Sequence, residues 1–528
     1  MLHPRLAWFS PMPPARSGIA AVNADLLPLL QSRFDIDVFV DDVVFSRRQK
    51  ERREAEDRDA HRTVEHGGLR VRSAHDFIWL NQRAPYDLTV YQLGNSSVHD
   101  YMWPYLFRYP GLTVLHDARL HHARAAALLR GARPADYRAE FAANQPSTSP
   151  DLAELAVDGF DNHLHYFWPM TRLVVARSRL TAVHAPHEIG RLREEAPGGR
   201  IEPIRLGHGS AIASDPAERG RIRARYRIPP NAVLFGCFGG LSPEKRLPQI
   251  LAAFAATRAY HPDVYLVLAG ATPEHYDLQG DIGRLGIGAS TIVTGYLESD
   301  DDLNAHISCC DVALNLRWPT AREMSGPWLR CLSAGLPTVI TELSHLAHVP
   351  SLDPRTWRPW TRVSDASDEA GHRRLEAGNW DLDTGDSRDA DPALRRPPSA
   401  VSGEPGNSQL EAGSWKLETG SWKLEAGSWK LGPVCVAIDI LDEDHSLRLA
   451  MRRLVRDAEL RHALGRAGRL WWEAHHTPEL MLEDYHRLIP LAIEQPVRDE
   501  PLPAHLLDDG SRTLERVLAA FGLGNPLR

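Results

Sequence analysis

Short apolar runs alternate with amphipathic stretches in the first part of the chain. Leu6–Phe9 is an apolar run of strand length. The stretch after it places Ile19, Val22, Leu26 and Leu30 on one helical face. Further strand-like runs in this part are Ile36–Val40, Leu88–Gln92 and Leu112–Leu115. Strands and helices that alternate in this way predict a parallel sheet with crossover helices.

The same alternation starts again after residue 206 and predicts a second sheet. Val233–Phe238 has the pattern of a strand, and the helix after it carries Leu247, Ile250 and Phe254 on one face. The other strand candidates are Val264–Ala269, Thr291–Thr294, Val312–Leu316, Pro337–Thr341 and Val434–Ile438. Leu206–Gly209 lies between the two series and is a natural hinge. The predicted fold class is α/β, with two doubly wound domains that face a cleft.

A low-complexity segment, residues 364–432, interrupts the second series. It contains LEAGSWK at Leu410–Lys416, and LETGSWK and a second LEAGSWK follow directly, so the period is seven. A coiled coil is disfavoured, because every copy holds a glycine and each glycine costs about 1 kcal/mol within a helix. We predict a disordered insertion, and the alternative is a binding tether that carries aromatic residues.

These patterns predict a division of the chain into five parts. They are an N-terminal domain (1–205), a C-terminal domain (206–363 and 433–476), the insertion (364–432), a helix (477–494) and a tail (495–528). The helix is amphipathic around Glu479–Ile489, so we expect it to pack back on the N-terminal domain. The tail carries the pattern of one short helix.

Composition narrows the class of protein. The chain has 528 residues, of which 43% are apolar and 25% charged, which is typical of a soluble globular protein with several domains. Its 61 basic and 69 acidic residues give a net charge of −8, so a nucleic-acid partner is disfavoured. No apolar run approaches the length of about 18 residues that a membrane span needs, and the start lacks the apolar run of a signal peptide. The five cysteines include no CxxC pair. We therefore expect a cytoplasmic enzyme without a transmembrane segment, a disulfide framework or a structural zinc site.

The loops that follow strands carry the candidate chemistry, because ligands of open α/β sheets bind outside the carboxyl ends of the strands. In FGGLSPEKR, residues 238–246, Gly239 and Gly240 permit close approach of a ligand to the backbone. Lys245 adds a positive charge beside a helix start, where a phosphate is already favoured. The loop matches neither the P-loop nor the dinucleotide fingerprint. The alternative is a capped helix start with a solvated lysine.

RWPTAREMSGPWLRCLSAG, residues 317–335, is the second candidate loop of this domain. Glu323 precedes a helix that starts at Ser325 and Gly326. Its carboxylate can accept hydrogen bonds from sugar hydroxyls, and the N–H groups behind it can hold a diphosphate. The alternative is that Glu323 only caps the helix.

The first domain offers two loops that could bind a polar ligand. SPMPPARSG, residues 10–18, places Gly18 at a helix N-terminus, where backbone N–H groups can approach an anion. Asn95 and His99 follow the strand Leu88–Gln92 and are candidates for binding a polar acceptor. Ordinary connecting loops are the alternative for both.

A third loop of the first domain places His116 and Asp117 directly after the strand Leu112–Leu115, at the cleft. A zinc site formed by His116, His121 and His122 is disfavoured, because their spacing matches no ligand signature and no cysteine lies nearby.

Taken together, these motifs resemble the GT-B glycosyltransferases of the family called group 1 or family 4. The most specific part is the C-terminal domain, where GGLSPEKR, VYLVLAG, TIVTGYLESDDDL and CCDVALNLRWPTAREMSGPWLRCLSAGLPTVIT follow in the family's order and spacing. SPMPPARSG, QLGNSSVH and VLHD resemble one bacterial subgroup. There are two departures. Gly240 lies where the family often has Arg, and Arg330 and Cys331 occupy the region of the second Glu of an acidic pair. That Glu holds the nucleotide ribose in many relatives.

The resemblance implies the GT-B fold, with two Rossmann-like domains and the acceptor on the N-terminal side. It implies a hexosyltransferase-type enzyme that moves a sugar from a nucleotide diphosphate sugar to an acceptor hydroxyl, with retention at the anomeric carbon, in bacterial polysaccharide or glycoconjugate synthesis. The catalytic residues that it implies are His116, Lys245 and Glu323. The donor-binding residues are Gly18, Gly239, Gly240, Tyr296, Ser325 and Gly326, and the acceptor-side candidates are Asn95, His99 and Asp117.

The resemblance also implies the partners. The donor is a nucleotide sugar, the acceptor is a saccharide, a lipid-linked or another hydroxyl compound, and peripheral contact with a membrane stays open. No metal or other cofactor is expected, because basic side chains and helix dipoles face the diphosphate. The acidic run Asp300–Asp302 is interpreted as solvated residues before a helix. The alternatives are a nucleotide-sugar epimerase, a phosphorylase, or a non-catalytic sugar-nucleotide-binding protein, which the missing second Glu would favour.

Overall fold

The computed structural model describes residues 3–41, 64–66, 68–159, 164–210, 212, 215–360, 432–508 and 511–522. The predicted insertion lies outside the described residues except for Gly432. The described residues form two eight-stranded sheets with helices between their strands, so the predicted α/β class is confirmed.

The first sheet has the strand order β3-β4-β2-β1-β5-β6-β7-β8, and its strands are parallel except for the antiparallel pair β3–β4. The strands are β1 (Arg5–Phe9), β2 (Asp35–Val40), β3 (Val64–His66), β4 (Leu69–Ser73), β5 (Leu88–Leu93), β6 (Leu112–Leu115), β7 (Leu180–Val183) and β8 (Ile201–Pro203). Every residue of β5 and β6 is buried, as expected for parallel strands that helices cover on both faces.

Eight helices with described bounds lie between the strands of the first sheet. They are α1 (Gly18–Leu30), α2 (Phe77–Arg83), α3 (Trp103–Arg108), α4 (His121–Arg130), α5 (Pro134–Asn144), α6 (Leu152–Val157), α7 (Arg172–Arg177) and α8 (Glu188–Glu195). The buried face of α1 includes Val22, Leu26 and Leu30, three of the four positions that the sequence pattern predicts, and the fourth, Ile19, is partly buried. Because β1 pairs with β2 on one side and with β5 on the other, the loops after these strands share one edge of the sheet.

The second sheet has the order β11-β10-β9-β12-β13-β16-β14-β15, with only the β14–β15 pair antiparallel among its described strands. The strands are β9 (Val233–Phe238), β10 (Val264–Ala269), β11 (Thr291–Gly295), β12 (Val312–Asn315), β13 (Thr338–Thr341), β14 (Ser351–Asp353), β15 (Arg358–Pro359) and β16 (Cys435–Ile438). β16 lies between β13 and β14, with Ile340 opposite Ala437. The chain on both sides of the predicted insertion therefore belongs to this one sheet.

The helices of the second half complete the fold. They are α9 (Pro216–Arg225), α10 (Leu247–Arg258), α11 (Leu278–Arg284), α12 (Asp300–Cys309), α13 (Gly326–Ser333), α14 (Glu443–Arg456), α15 (Ala458–His475), α16 (Pro478–Ile493), α17 (Ala504–Leu507) and α18 (Ser511–Ala520). Within the described ranges, none of these or the earlier helices combines the length and the apolar character that a membrane crossing requires.

Helix α16 returns to the first sheet. Tyr485 packs against Trp8 of β1, with ring centres 5.3 Å apart. Asp484 accepts hydrogen bonds from the backbone N–H and the guanidinium of Arg205, both at 2.8 Å. Thr477 caps the helix by accepting from the backbone N–H of Leu480. The end of the chain thereby fastens the second half to the first.

Several expectations need correction. The strands β3, β4, β7, β8, β14 and β15 are missing from the prediction. Of these, β3, β8, β14 and β15 have only two or three residues, too few for a readable period. The tail holds two helices, α17 and α18, and not one. Asp300–Asp302 is not a run before a helix but the first turn of α12, where acidic side chains favour the helix dipole and Ser299 is the cap.

Candidate functional site

Loops at the carboxyl ends of the two sheets meet across the cleft. Arg16, in the loop after β1, donates to Glu298 Oε1 at 2.5 Å, and its guanidinium carbon lies 4.5 Å from the centre of the Tyr296 ring. Arg322, in the loop after β12, forms an ion pair with the buried Glu188 at the start of α8. Loops of the two halves that carry or adjoin predicted site residues therefore contact each other.

Glu323 is held by neighbours in its own loop. Arg317 forms an ion pair with one carboxylate oxygen, and Thr320 Oγ1 donates to the other at 2.8 Å. Burial alone would raise the pKa of Glu323, but the Arg317 guanidinium, the hydrogen bond from Thr320 and the other neighbouring groups together lower it. Glu323 is therefore a fixed, ionised carboxylate. The alternative in which it caps the helix is wrong, because Ser325 is the N-cap of α13 and accepts from the backbone N–H of Trp328.

The start of α13 lies beside the hinge. Ser325 has extended backbone geometry, and the helix begins at Gly326. A Cβ at Gly326 would come within 3.0 Å of the His208 ring, so a larger residue would displace the hinge. The first N–H groups of this helix have no partners within the helix and are suited to an anion.

Lys245 and Gly239 lie against each other in the loop after β9. Lys245 Nζ donates to Phe238 O at 2.9 Å, and a Cβ at Gly239 would lie only 2.6 Å from this nitrogen. Gly239 has a φ of +88°, which favours glycine in its own right. Burial and the nearby Arg317 charge lower the pKa of Lys245 to about 8. A Cβ at Gly240 would meet open space, so a ligand could approach its backbone.

His116 lies at the end of β6 and is fixed by β5. Its backbone N–H donates to Leu93 O at 2.9 Å, and its Nε2 lies 2.7 Å from Gln92 Oε1. Burial lowers the pKa of His116 well below the ordinary value, and His184, whose ring centre is 4.8 Å away, lowers it further. His116 is therefore neutral at physiological pH.

Two of the three acceptor-side candidates, Asn95 and Asp117, are hydrogen-bonded to each other. Asn95 donates its backbone N–H to Asp117 Oδ2 at 2.5 Å and accepts from the backbone N–H of Ala123 at 2.9 Å. His99 is only 1% exposed, and burial lowers its pKa to about 4. Burial and the Glu323 charge raise the pKa of Asp117 to about 7. Asn95 thus supports its loop through hydrogen bonds, whereas the buried ring nitrogens of His99 have no hydrogen-bond partner among the described residues. The pKa of Asp117 is the one that depends on a residue of the opposite half.

Gly18 and Tyr296 lie in the two loops that Arg16 brings together. Gly18 is the first residue of α1, and a Cβ there would meet nothing within 4 Å. Tyr296 is 42% exposed and follows β11 directly. Both are accessible from the cleft side of their loops.

Arg330 and Cys331 have structural partners. Arg330 Nε donates to His208 Nε2 at 3.0 Å and Nη2 donates to Asp300 Oδ2 at 2.9 Å. Cys331 has no exposed surface, and burial raises the pKa of its thiol. The region of the family's second Glu therefore contains two residues with structural contacts. Arg330 links His208 of the predicted hinge to Asp300 of α12, and Cys331 is part of the core.

The described residues offer no cluster of metal ligands. In the part of the chain that the structure describes, no group of three or more His, Cys, Asp or Glu side chains has an arrangement that could hold a metal ion. His121, which the disfavoured zinc site would need, is buried and lies 2.8 Å from Tyr137 Oη through its Nε2.

The sequence patterns do not point to Gln92, Arg317 or Tyr485, which all contact predicted site residues or their partners. Gln92 is a buried polar residue at the end of an otherwise apolar strand, which is a signal that the sequence does contain. Arg317 starts the loop that contains Glu323. Tyr485 offers no local signal, because its partner Gln92 is 393 positions away in the chain.

Comparison with known proteins finds a family match in the second sheet's part of the chain. Residues 218–346 match the family model described as "Glycosyl transferases group 1". This range contains Lys245, Tyr296, Glu323 and the start of α13. Among curated proteins, no sequence matches the chain.

Similar solved structures cover most of the chain and indicate its fold. Sucrose-phosphate synthase from Thermosynechococcus elongatus aligns with a TM-score of 0.56 at 12% identity, over 93% of this chain and 99% of its own. Anabaena Alr3699/HepE in complex with UDP and glucose gives 0.54 at 12%, over 93% and 100%. An α,α-trehalose-phosphate synthase (UDP-forming) from Burkholderia xenovorans in complex with glucose-6-phosphate gives 0.51 at 11%, over 92% and 100%. The chain therefore contains a group 1 glycosyltransferase domain within the fold that GT-B glycosyltransferases share.

Proposed function

We propose that the protein transfers a sugar from a nucleoside diphosphate sugar to an acceptor hydroxyl, with retention of the anomeric configuration. The observation that supports this most is the placement of Lys245, Glu323 and the start of α13 around one end of the second sheet, inside the matched group 1 domain. The loop of His116 and Asp117 approaches from the opposite half, where the Glu323 charge contributes to raising the pKa of Asp117. The bound UDP and glucose of Anabaena Alr3699/HepE suit such a donor site.

The geometry assigns a physical task to each group. As the glycosidic bond breaks, the diphosphate gains negative charge, and preorganised positive groups stabilise that change. Lys245 and the N–H groups at Gly326 supply positive electrostatic potential on one side. The ionised Glu323 can only accept hydrogen bonds, which suits sugar hydroxyls. The neutral His116 can hydrogen-bond to the sugar without adding charge.

The proposal includes no metal, because Lys245, Arg317 and the helix start can supply the positive charge that the diphosphate needs. The acceptor is proposed to be a saccharide or a lipid-linked hydroxyl compound, reached from the side of Asp117. A role in polysaccharide or glycoconjugate synthesis in the cytoplasm agrees with such an acceptor.

The test starts from binding. A panel of nucleoside diphosphate sugars is screened by thermal shift, since a ligand at 100 times its Kd adds about 2.7 kcal/mol of stability. Donors that bind are then incubated with acceptors, and the anomeric configuration of the product is read by NMR. Transfer with retention supports the proposal, whereas inversion refutes the retaining mechanism.

Three further outcomes would each identify a different protein. Binding without transfer or donor hydrolysis identifies a non-catalytic sugar-nucleotide-binding protein. Release of an epimerised donor identifies a nucleotide-sugar epimerase, and release of a sugar phosphate identifies a phosphorylase.

A further inference from the structure

A groove of about 710 Å³ lies where helix α14 ends and helix α15 begins. One face of α14 lines it with residues three and four positions apart, Leu449, Arg452, Arg453 and Arg456. Trp357, in the turn between β14 and β15, lines it as well. The volume lies in the range of sites that bind small organic molecules.

The groove lies at the edge of the second sheet that is opposite to the candidate donor site. Tyr260 and His261, which contact its arginines, lie between the end of α10 and the start of β10. Lys245 and Glu323 instead follow the carboxyl ends of β9 and β12. Helix α14 starts after the carboxyl end of β16, and its 14 residues span about 20 Å towards the other edge. The groove is therefore separate from the candidate donor site.

Two of the arginines lack a carboxylate partner among the described residues. Arg452 Nε is buried without a hydrogen-bond partner, and the guanidinium carbon lies 4.3 Å from the centre of the Tyr260 ring. Arg456 Nε donates to His261 Nε2 at 3.1 Å, and a histidine nitrogen that accepts belongs to a neutral ring. Like charges one helical turn apart repel each other, so an anion bound between the two arginines would relieve this repulsion.

The other charges of the groove leave it positive. Arg453 is neutralised by Asp457, whose carboxylate lies 2.8 Å away, and Glu459 is exposed at the rim. The lining thus has three arginines against two carboxylates. The first N–H groups of α15 also lie at the groove, and such groups favour an anion. The pKa of His261 is lowered by its burial and by the charges of Arg456 and Arg452, in keeping with a positive potential.

The spacing of the two unpaired arginines favours a phosphate over a carboxylate. Each guanidinium presents a planar fork of donors, and the two oxygens of a carboxylate match one fork. A phosphate monoester has three free oxygens and a charge of about −2, so it can bridge two forks. Trp357 and Leu449 offer apolar surface to the organic part of such a ligand.

We propose that this groove binds a small organic phosphate monoester, with the phosphate between Arg452 and Arg456 and the organic part against Trp357 and Leu449. The site is distinct from the donor site, so the proposal does not depend on the proposed transfer reaction.

Calorimetry on the full chain tests the site, with inorganic phosphate and phenyl phosphate as probes at constant ionic strength. Phenyl phosphate should bind more tightly than inorganic phosphate, because its ring adds the apolar contact. The double variant Arg452→Gln/Arg456→Gln should weaken both affinities at least about tenfold, the effect of losing charge-assisted hydrogen bonds. Unchanged affinities in a folded double variant would overturn the proposal.

Two control variants localise the binding. Arg221→Gln/Arg225→Gln removes two arginines at the same spacing from exposed positions of α9, and should bind phenyl phosphate like wild type. An equal loss there would show that only the net charge matters. Lys245→Met, which weakens the candidate diphosphate site, should also keep the binding. Loss of phenyl phosphate binding in Lys245→Met would assign the ligand to that site and contradict the proposal.

Two further comparisons test the identity of the ligand. Phenylacetate, the matched carboxylate, should bind at least about tenfold more weakly than phenyl phosphate, and equal affinity would refute the choice of phosphate. The competing ligand within the chain is the acidic stretch 364–391, which has nine acidic and three basic residues. The full chain and the variant with a linker in place of 364–432 should bind phenyl phosphate alike. Binding only in the linker variant would indicate that the insertion occupies the groove, and would overturn the proposal.

Discussion

Replacing Lys245 by methionine removes the ammonium group beside Gly239 and keeps an unbranched side chain of similar length. The ammonium donates to Phe238 O at 2.9 Å and, in the proposed reaction, faces the departing diphosphate. The negative charge of that group grows in the transition state, so losing the ammonium affects the transition state more than the ground state. Loss of one such donor costs about 2–4 kcal/mol, so kcat/KM should fall roughly 30- to 1,000-fold.

The same substitution should not destabilise the fold. The pKa of Lys245 is about 8 where an ordinary lysine has 10.5, so the folded protein disfavours the charged form by up to about 3 kcal/mol. This cost is fully present below pH 8 and disappears as pH rises from about 8 to 10.5, where the unfolded chain still binds the proton and the folded chain does not. At pH 7, Lys245→Met should therefore melt at the wild-type temperature or above it.

The pH dependence gives an independent measurement. The ratio kcat/KM reports groups of the free enzyme, and the protonated amine is the active form. Wild-type kcat/KM should therefore decline as pH rises through about 8, and Lys245→Met should lack this decline. Arg225→Met, at the exposed end of α9, removes a positive charge elsewhere in the same half and should change neither quantity. Normal kcat/KM in Lys245→Met, or a lower melting temperature with unchanged kinetics, would refute this account of Lys245.

The remaining predictions address the other parts of the site and the insertion. His116→Ala should lower turnover at least about tenfold with a nearly unchanged melting temperature, since it removes a neutral ring with one amide contact. Glu323→Gln should bind the free nucleoside diphosphate like wild type in calorimetry but discriminate less among donor sugars, because its carboxylate is assigned to hydroxyls. Activity measured in EDTA should equal activity without it. Replacing 364–432 by a short Gly/Ser linker should preserve folding, because β15 and β16 both flank β14 and lie about 10 Å apart, a gap that about eight residues can span.

Each of these predictions has its own contrary outcome. Glu154→Gln, which breaks an exposed pair with Arg138 far from the cleft, is the matched control for Glu323 and should alter neither binding nor selectivity. Loss of nucleoside diphosphate binding in Glu323→Gln would assign that residue to the nucleotide. A large loss of stability in His116→Ala with normal specific activity would make it a core residue. Inactivation by EDTA would contradict the metal-free proposal, and failure of the linker variant to fold would show that the insertion is structural.

Sequence patterns locate the central strands well and the outer strands poorly. The predicted runs Val233–Phe238, Val264–Ala269 and Leu112–Leu115 coincide with β9, β10 and β6. These strands lie inside parallel sheets, where burial on both faces produces continuous apolar runs. β8 and β15 have three and two residues, so their pairing depends on neighbouring strands and leaves no local pattern.

Some features of the candidate site can likewise be predicted from sequence, and others cannot. Loops after strands can be found from sequence, since topology places them at the edge where ligands bind. The charge states of the residues in these loops cannot be predicted from sequence. The ionised state of Glu323 depends on Arg317 and Thr320, and the neutral state of His116 depends on burial and His184. The Tyr485 contact joins opposite ends of the chain and becomes visible only once α16 is placed on the first sheet.

Packing also explains why the region after Glu323 lacks a second acidic residue. Cys331 belongs to a buried cluster with Phe238, Ala313 and Leu336. A glutamate in its place would put a larger, charged side chain into that fully buried cluster, where burial penalises the ionised form. The neighbouring position offers no substitute, because Arg330 is committed to His208 and Asp300. Restoring an acidic pair at 331 therefore requires repacking of α13, and in the proposed reaction the nucleotide is recognised by groups on the surrounding loops.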